Sequence, residues 1–209
     1  MFCPLRADII NIPSLTFCYN NSMKINYHFG EIPKRYLENY QKIKSFMIRY
    51  DIAQDLIARF YPEITEPMVI NIEHKALKQD ARFYKDTIYL NFANDICYLW
   101  AGIGHESSHI LIRKAGWEQS EAYKELKRKK LNYDVDQSCA ILVQAYYENL
   151  AGIRRLEWSE WHLTFSCMQV EKIGKLLFEK FVVEVGIKDF SIAEFISKNR
   201  DSVYKSRKD

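Results

Sequence analysis

The pentapeptide His105-Glu106-Ser107-Ser108-His109 combines residue types and a spacing that can carry out chemistry. On a helix, residues four apart share one face with their β-carbons about 6 Å apart, so two imidazoles there can grip one metal ion. A glutamate directly after the first histidine stands beside the open metal position, where it can take a proton from a bound water. The pattern points to one zinc ion per chain, held by His105 and His109, with Glu106 as general base. Catalytic zinc ordinarily takes three protein ligands, so a third group has to come from elsewhere.

A third histidine six residues after His109 would complete one known pattern, but Ala115 occupies that place and Ile112 stands where that pattern has glycine. Glu148 is the leading candidate. It falls in a predicted helix over 134–157 whose apolar face is Val135, Cys139, Leu142, Val143, Tyr146, Leu150 and Ile153. At 100° per residue Glu148 points away from that face, among Ala145, Ala151 and Gly152, small residues that admit a close neighbour. Asp136 is its rival, roughly 18 Å away along the same helix, and more naturally serves as an N-terminal carboxylate favoured by the helix dipole. His162 is the remaining choice.

These residues need a scaffold. Polar and apolar residues alternate over 23–29, which predicts a half-buried strand with His28 on its polar side. Pro33 opens a helical segment reaching about residue 60, closed by Pro62 and Pro67. Strands are expected at 68–72, 82–84 and 87–92, the last two joined by a tight turn at Lys85-Asp86. Asn94-Asp95 can cap a buried helix over 96–114 that carries the pentapeptide and stops at Gly116. Helices at 119–130, 134–157, 160–184 and 190–198 follow. The expected fold class is α+β, with a small mixed sheet and helices first and an all-helical lobe after. Residues 1–22 read as a tail or a short extension. Residues 23–209 read as one domain, with lobes at about 23–116 and 117–209 and a cleft between them.

Composition narrows the function classes. The 209 residues are 48% apolar and 27% charged, as in an ordinary globular protein, and a net charge of +3 gives no case for nucleic acid. The basic run at 124–130 reads as a solvated helix face. Five cysteines, none in a C-x-x-C pair, suit a reducing compartment. The absence of a long uncharged apolar stretch and of a signal-peptide core makes a cytoplasmic location and no membrane span the expectation.

Taken together, the strand Ile88-Tyr89-Leu90-Asn91, the helix with G-H-E-S-S-H-I-L and a later helix with E-N-L-A-G (from Glu148) resemble the gluzincin branch of the zincin metallopeptidases. The resemblance implies a zincin-like fold with the motif helix at the cleft. It implies zinc ligands His105, His109 and Glu148, with Glu106 as base. It also implies that Ile88, Tyr89, Leu90 and Asn91 form a strand edge that pairs with an extended peptide. The chain has Gly152 where several gluzincins place an aspartate that orients a histidine ligand, so support for the imidazoles must come from elsewhere. The implied activity is hydrolysis of a peptide bond in a peptide or protein substrate, with His162, Tyr147, Tyr146 or Arg155 as oxyanion donors. The alternative is a regulatory or pseudo-enzymatic zincin that binds metal and acts through one partner protein.

Overall fold

The structure, a computed structural model, describes residues 25–50, 56, 60–78, 81–155 and 157–161, with isolated positions at 172, 174, 175 and 179. The tail at 1–22, His162 and nearly all of the expected helices at 160–184 and 190–198 lie outside the described residues. The described part is α+β, built on a small mixed sheet.

Strand β1 (Ile25–Phe29) alternates as its sequence requires, with Ile25 buried, Tyr27 and Phe29 half-buried, and Asn26 and His28 exposed. Pro33 leads into a single 3-10 turn and then α1 (Leu37–Tyr50); beyond it Leu56 and Phe60 are helical and fully buried. Strand β2 (Met68–His74) runs parallel to β1 and, on its other side, to β4 (Thr87–Leu90). Strand β3 (Ala81–Tyr84) forms a hairpin with β4, and Lys85 takes a left-handed φ of 54° in the two-residue turn. The sheet order is β1-β2-β4-β3.

This order corrects one expectation. The strand preceding the motif helix was expected to offer a free edge, yet every residue of β4 is paired on both sides, to β2 and to β3. Ile88 and Leu90 are fully buried. The strand on the motif-helix side with a flank unpaired within the described sheet is β3. Apolar alternation marks which face of a strand is buried but says nothing about which of its flanks is covered.

Helix α2 (Ile96–Lys114) carries the pentapeptide, and its ends match the local signals. The Asp95 side chain accepts from the Cys97 amide at 2.9 Å, and Gly116 turns the chain with φ 74° just past the end. Helix α3 (Glu121–Arg128) follows, capped by Ser120; Lys124 and Arg128 of the basic run pair with Glu121, and Lys129 with Glu125. Helix α4 (Asn132–Leu150) is shorter than expected, because Gly152 adopts φ 65° and lets the Ile153 amide return to the Glu148 carbonyl at 2.8 Å. A short helix, α5 (Trp158–Trp161), closes the described chain. Among the described residues no helix is long and apolar enough to cross a membrane.

Two glycines on α2 set how closely its neighbours approach. A β-carbon at Gly102 would lie 2.7 Å from Cβ of Ala81 on β3, and one at Gly104 would lie 2.8 Å from Cγ of Tyr147 on α4. Neither distance is tolerated between real carbons. The two glycines therefore let β3 and α4 pack directly against α2, just before His105. A hydrogen bond from the Trp100 indole nitrogen to the Tyr147 carbonyl, 2.9 Å long, fixes the α2–α4 crossing.

Candidate metal centre

The pentapeptide lies in the buried middle of α2, and within the stretch from Leu99 to Ile112 only His105 and Glu106 are partly exposed. Ser107 and Ser108 are fully buried, a position a hydroxyl tolerates only with a partner. Ser107 Oγ has one in the Tyr27 hydroxyl of β1, at 2.9 Å, and Ser108 Oγ bonds to the Tyr61 hydroxyl. The two unspecified positions of the motif thus tie α2 to β1 and to the segment after α1, which fixes the rotation of the helix about its axis. That rotation turns His105 and His109 toward α4.

The two imidazoles converge, with Nε2 of His105 and Nε2 of His109 3.3 Å apart. Two nitrogens bound tetrahedrally to zinc at 2.0–2.1 Å would be separated by about 3.3–3.4 Å. The pair therefore has the spacing of metal ligands. Each ring is also held from behind. His105 Nδ1 meets Gln144 Oε1 at 3.1 Å, and Gln144 Nε2 donates to Glu148 Oε1 at 2.9 Å. His109 Nδ1 lies 3.0 Å from Asp136 Oδ2, although that N–H does not point along the line between them, so the contact is electrostatic rather than a formed hydrogen bond. A carboxylate or amide behind a ligand imidazole is the arrangement that orients metal-binding histidines. Asp136 and Gln144 supply the support that Gly152 does not.

Phe83 of β3 stacks on the His109 ring, with centroids 5.1 Å apart and planes 18° apart, and the Arg113 guanidinium also lies over the phenyl ring, 4.6 Å from its centroid. The Phe83 backbone also hydrogen-bonds the Glu106 carboxylate. Burial raises the pKa of Glu106 above the usual carboxylate value, against the opposing effects of His109 and the Phe83 backbone. Burial first, and the neighbouring His109 second, lower the pKa of His105 to about 4, so this ring is neutral at physiological pH, as a metal ligand must be.

Other expected residues fall further away. Glu148 is buried, as its small-residue surroundings implied, but its oxygens go to Gln144 and to Arg154 Nε at 3.2 Å. Burial raises its pKa as well. Among the described residues no three His, Cys, Asp or Glu side chains have the spacing to hold one metal ion. Tyr147 is in the core between Gly104 and Trp100, with its hydroxyl toward Tyr27, and Tyr146 packs edge-on against Phe60. The Tyr89 ring lies beneath the Lys75 ammonium, and Asn91 braces the loop after β4 through Leu77 and Ala93.

Two residues of the site had not been singled out: Gln144 and Gln137. The Gln137 amide nitrogen is 3.2 Å from His109 Nε2. With Glu148 they form one stripe of α4, since steps of seven and four residues return to nearly the same side of a helix. That recurrence of polar residues in a largely apolar helix was the available signal. No protein-family model, curated protein or solved structure matches this chain.

Proposed function

We propose that the chain is a zinc-dependent hydrolase of peptide bonds, a zincin-like metallopeptidase with its centre on α2. The observation that carries the reading is the 3.3 Å approach of the two Nε2 atoms, with the Nδ1 side of each ring occupied by a group from α4. Residues of this kind fit zinc, which His105 and His109 would hold. A bound zinc ion supplies Lewis acidity and brings the pKa of its water to about 7.

The remaining steps belong to the protein. Glu106 is the proton carrier, receiving a proton from the attacking water and delivering it to the leaving amine. Its raised pKa, caused by burial, suits a group that has to hold a proton between those two events. The Phe83 backbone hydrogen bond keeps the carboxylate in place from the β3 side. Strand β3, antiparallel to β4 and adjacent to Glu106, takes the part of the peptide-pairing edge that had been expected of Ile88, Tyr89, Leu90 and Asn91. The non-hydrolytic alternative, a metal-binding domain acting through one partner protein, draws on Gln137, whose amide nitrogen lies 3.2 Å from His109 Nε2.

Glu106→Gln separates the two. It should leave zinc content unchanged and abolish cleavage of a mixed peptide substrate library by the zinc-loaded protein. Cleavage by the variant at the wild-type rate would remove Glu106 from the chemistry. A zinc-loaded wild type that cleaves nothing would favour the partner-binding reading.

A further inference from the structure

The acceptors behind the two imidazoles decide where their protons are. Gln144 Nε2 donates to the Glu148 carboxylate, so the atom it turns toward His105 Nδ1 is Oε1, an acceptor. His105 therefore carries its proton on Nδ1 and a lone pair on Nε2. The negative charge of Asp136, with Oδ2 3.0 Å from His109 Nδ1, favours the same tautomer in His109 by electrostatic attraction. Two lone pairs thus face one another across 3.3 Å, an arrangement that calls for a cation or a shared donor. The group at hand is the Gln137 carboxamide, whose Nε2 lies 3.2 Å from His109 Nε2.

We propose that Gln137 is the third protein group of the metal centre, donating from Nε2 to His109 Nε2 without an ion and offering Oε1 as a ligand with one. This inference rests on the zinc reading above and refines its ligand set. Spacings of 3.2 and 3.3 Å from His109 Nε2 match the edge between two ligand atoms of a tetrahedral zinc site, about 3.3–3.4 Å. The amide oxygen and nitrogen have nearly the same shape, so a half-turn about the terminal torsion exchanges them without moving the helix. Glu148 is poorly placed for the same role. It reaches His105 only through Gln144, on the Nδ1 side of the ring, and both its oxygens are already engaged. It is a positioning residue that fixes which way the Gln144 amide faces.

The test is a zinc titration of the metal-free, folded protein against a competing chelator, together with the visible spectrum of its cobalt(II) form. Gln137→Ala should weaken zinc binding by on the order of tenfold or more and change the cobalt bands, because a ligand is lost. Gln137→Glu should bind zinc more tightly than wild type, since a carboxylate replaces a neutral oxygen. Glu148→Gln should leave the cobalt bands in place. If instead Gln137→Ala keeps affinity and spectrum while Glu148→Gln loses both, Glu148 is the ligand and the role of Gln137 is overturned, with the zinc site intact. If wild type binds no zinc, or His109→Ala binds it equally well, the zinc reading fails and this inference with it.

Discussion

Gly104→Ala probes the packing that brings α4 to the histidines. In an exposed helix the change would stabilise the protein by about 0.8–1.0 kcal/mol, since glycine is the poorer helix former. Here the new methyl carbon would sit 2.8 Å from Tyr147 Cγ and 3.0 Å from Cδ1. Carbon atoms prefer about 3.5–4.0 Å, so either the ring or α4 must retreat by roughly 0.7 Å or more. The ring has nowhere easy to go. Tyr147 is 1% exposed, its face packs on Trp100 at a centroid distance of 5.2 Å, and its own carbonyl holds the Trp100 indole. Overpacking of this kind costs about 1–3 kcal/mol. Set against the helix-propensity gain, the net destabilisation is about 2 kcal/mol at the upper end of that cost and close to zero at the lower. Urea unfolding monitored by tryptophan fluorescence would measure it. Because Gln144 lies one turn before Tyr147, a retreat of α4 also loosens the support of His105, and zinc affinity should drop by about 10- to 100-fold, as for loss of an outer partner. Pairing the change with Tyr147→Leu should give less than the sum of the single effects, because the clashing atoms are shared. A Gly104→Ala protein that is more stable by the full helix-propensity gain and binds zinc unchanged would refute the idea that this glycine sets the α2–α4 distance.

The stability of the metal-free protein should fall with acidification through His105. Its pKa in the folded protein, about 4, lies below the ordinary value of 6.5, so the unfolded chain takes up the proton first. The full stability is present above pH 6.5 and is lost progressively toward pH 4, by about 3 kcal/mol in total at 1.36 kcal/mol per pKa unit. Denaturant titrations at pH 7 and pH 4.5 would test this against His105→Gln, which should lose that share of the pH dependence; an equal dependence in the variant would assign the effect to other groups. Asp136→Asn should keep the fold, since this side chain is 25% exposed, and weaken zinc binding about 10- to 100-fold. Unchanged affinity by chelator competition would show that the carboxylate behind His109 does not orient it.

Much of the scaffold was legible because its signals are local. The cap at Asp95 and the stop at Gly116 bracket α2, and the turn at Lys85-Asp86 needs only its own neighbours. The buried state of Glu148 was also readable, from the small residues around it on α4. Strand order was not, since the pairing of β4 with both β2 and β3 depends on contacts remote in sequence. Nor was the support of the imidazoles. Asp136 read as a helix-dipole carboxylate because its proximity to His109 exists only once α2 and α4 pack together. Gln137 and Gln144 escaped notice because neutral amides carry no ligand signature, and their shared side of α4 acquires meaning only opposite His105 and His109.

The most direct measurement is zinc content per chain, by elemental analysis of protein purified without added metal or chelator, alongside His109→Ala. About one zinc ion per wild-type chain and none in the variant is the expected result for a centre on α2. A folded wild type that takes up no zinc even after reconstitution would contradict it, and would leave His105 and His109 as packed helix residues.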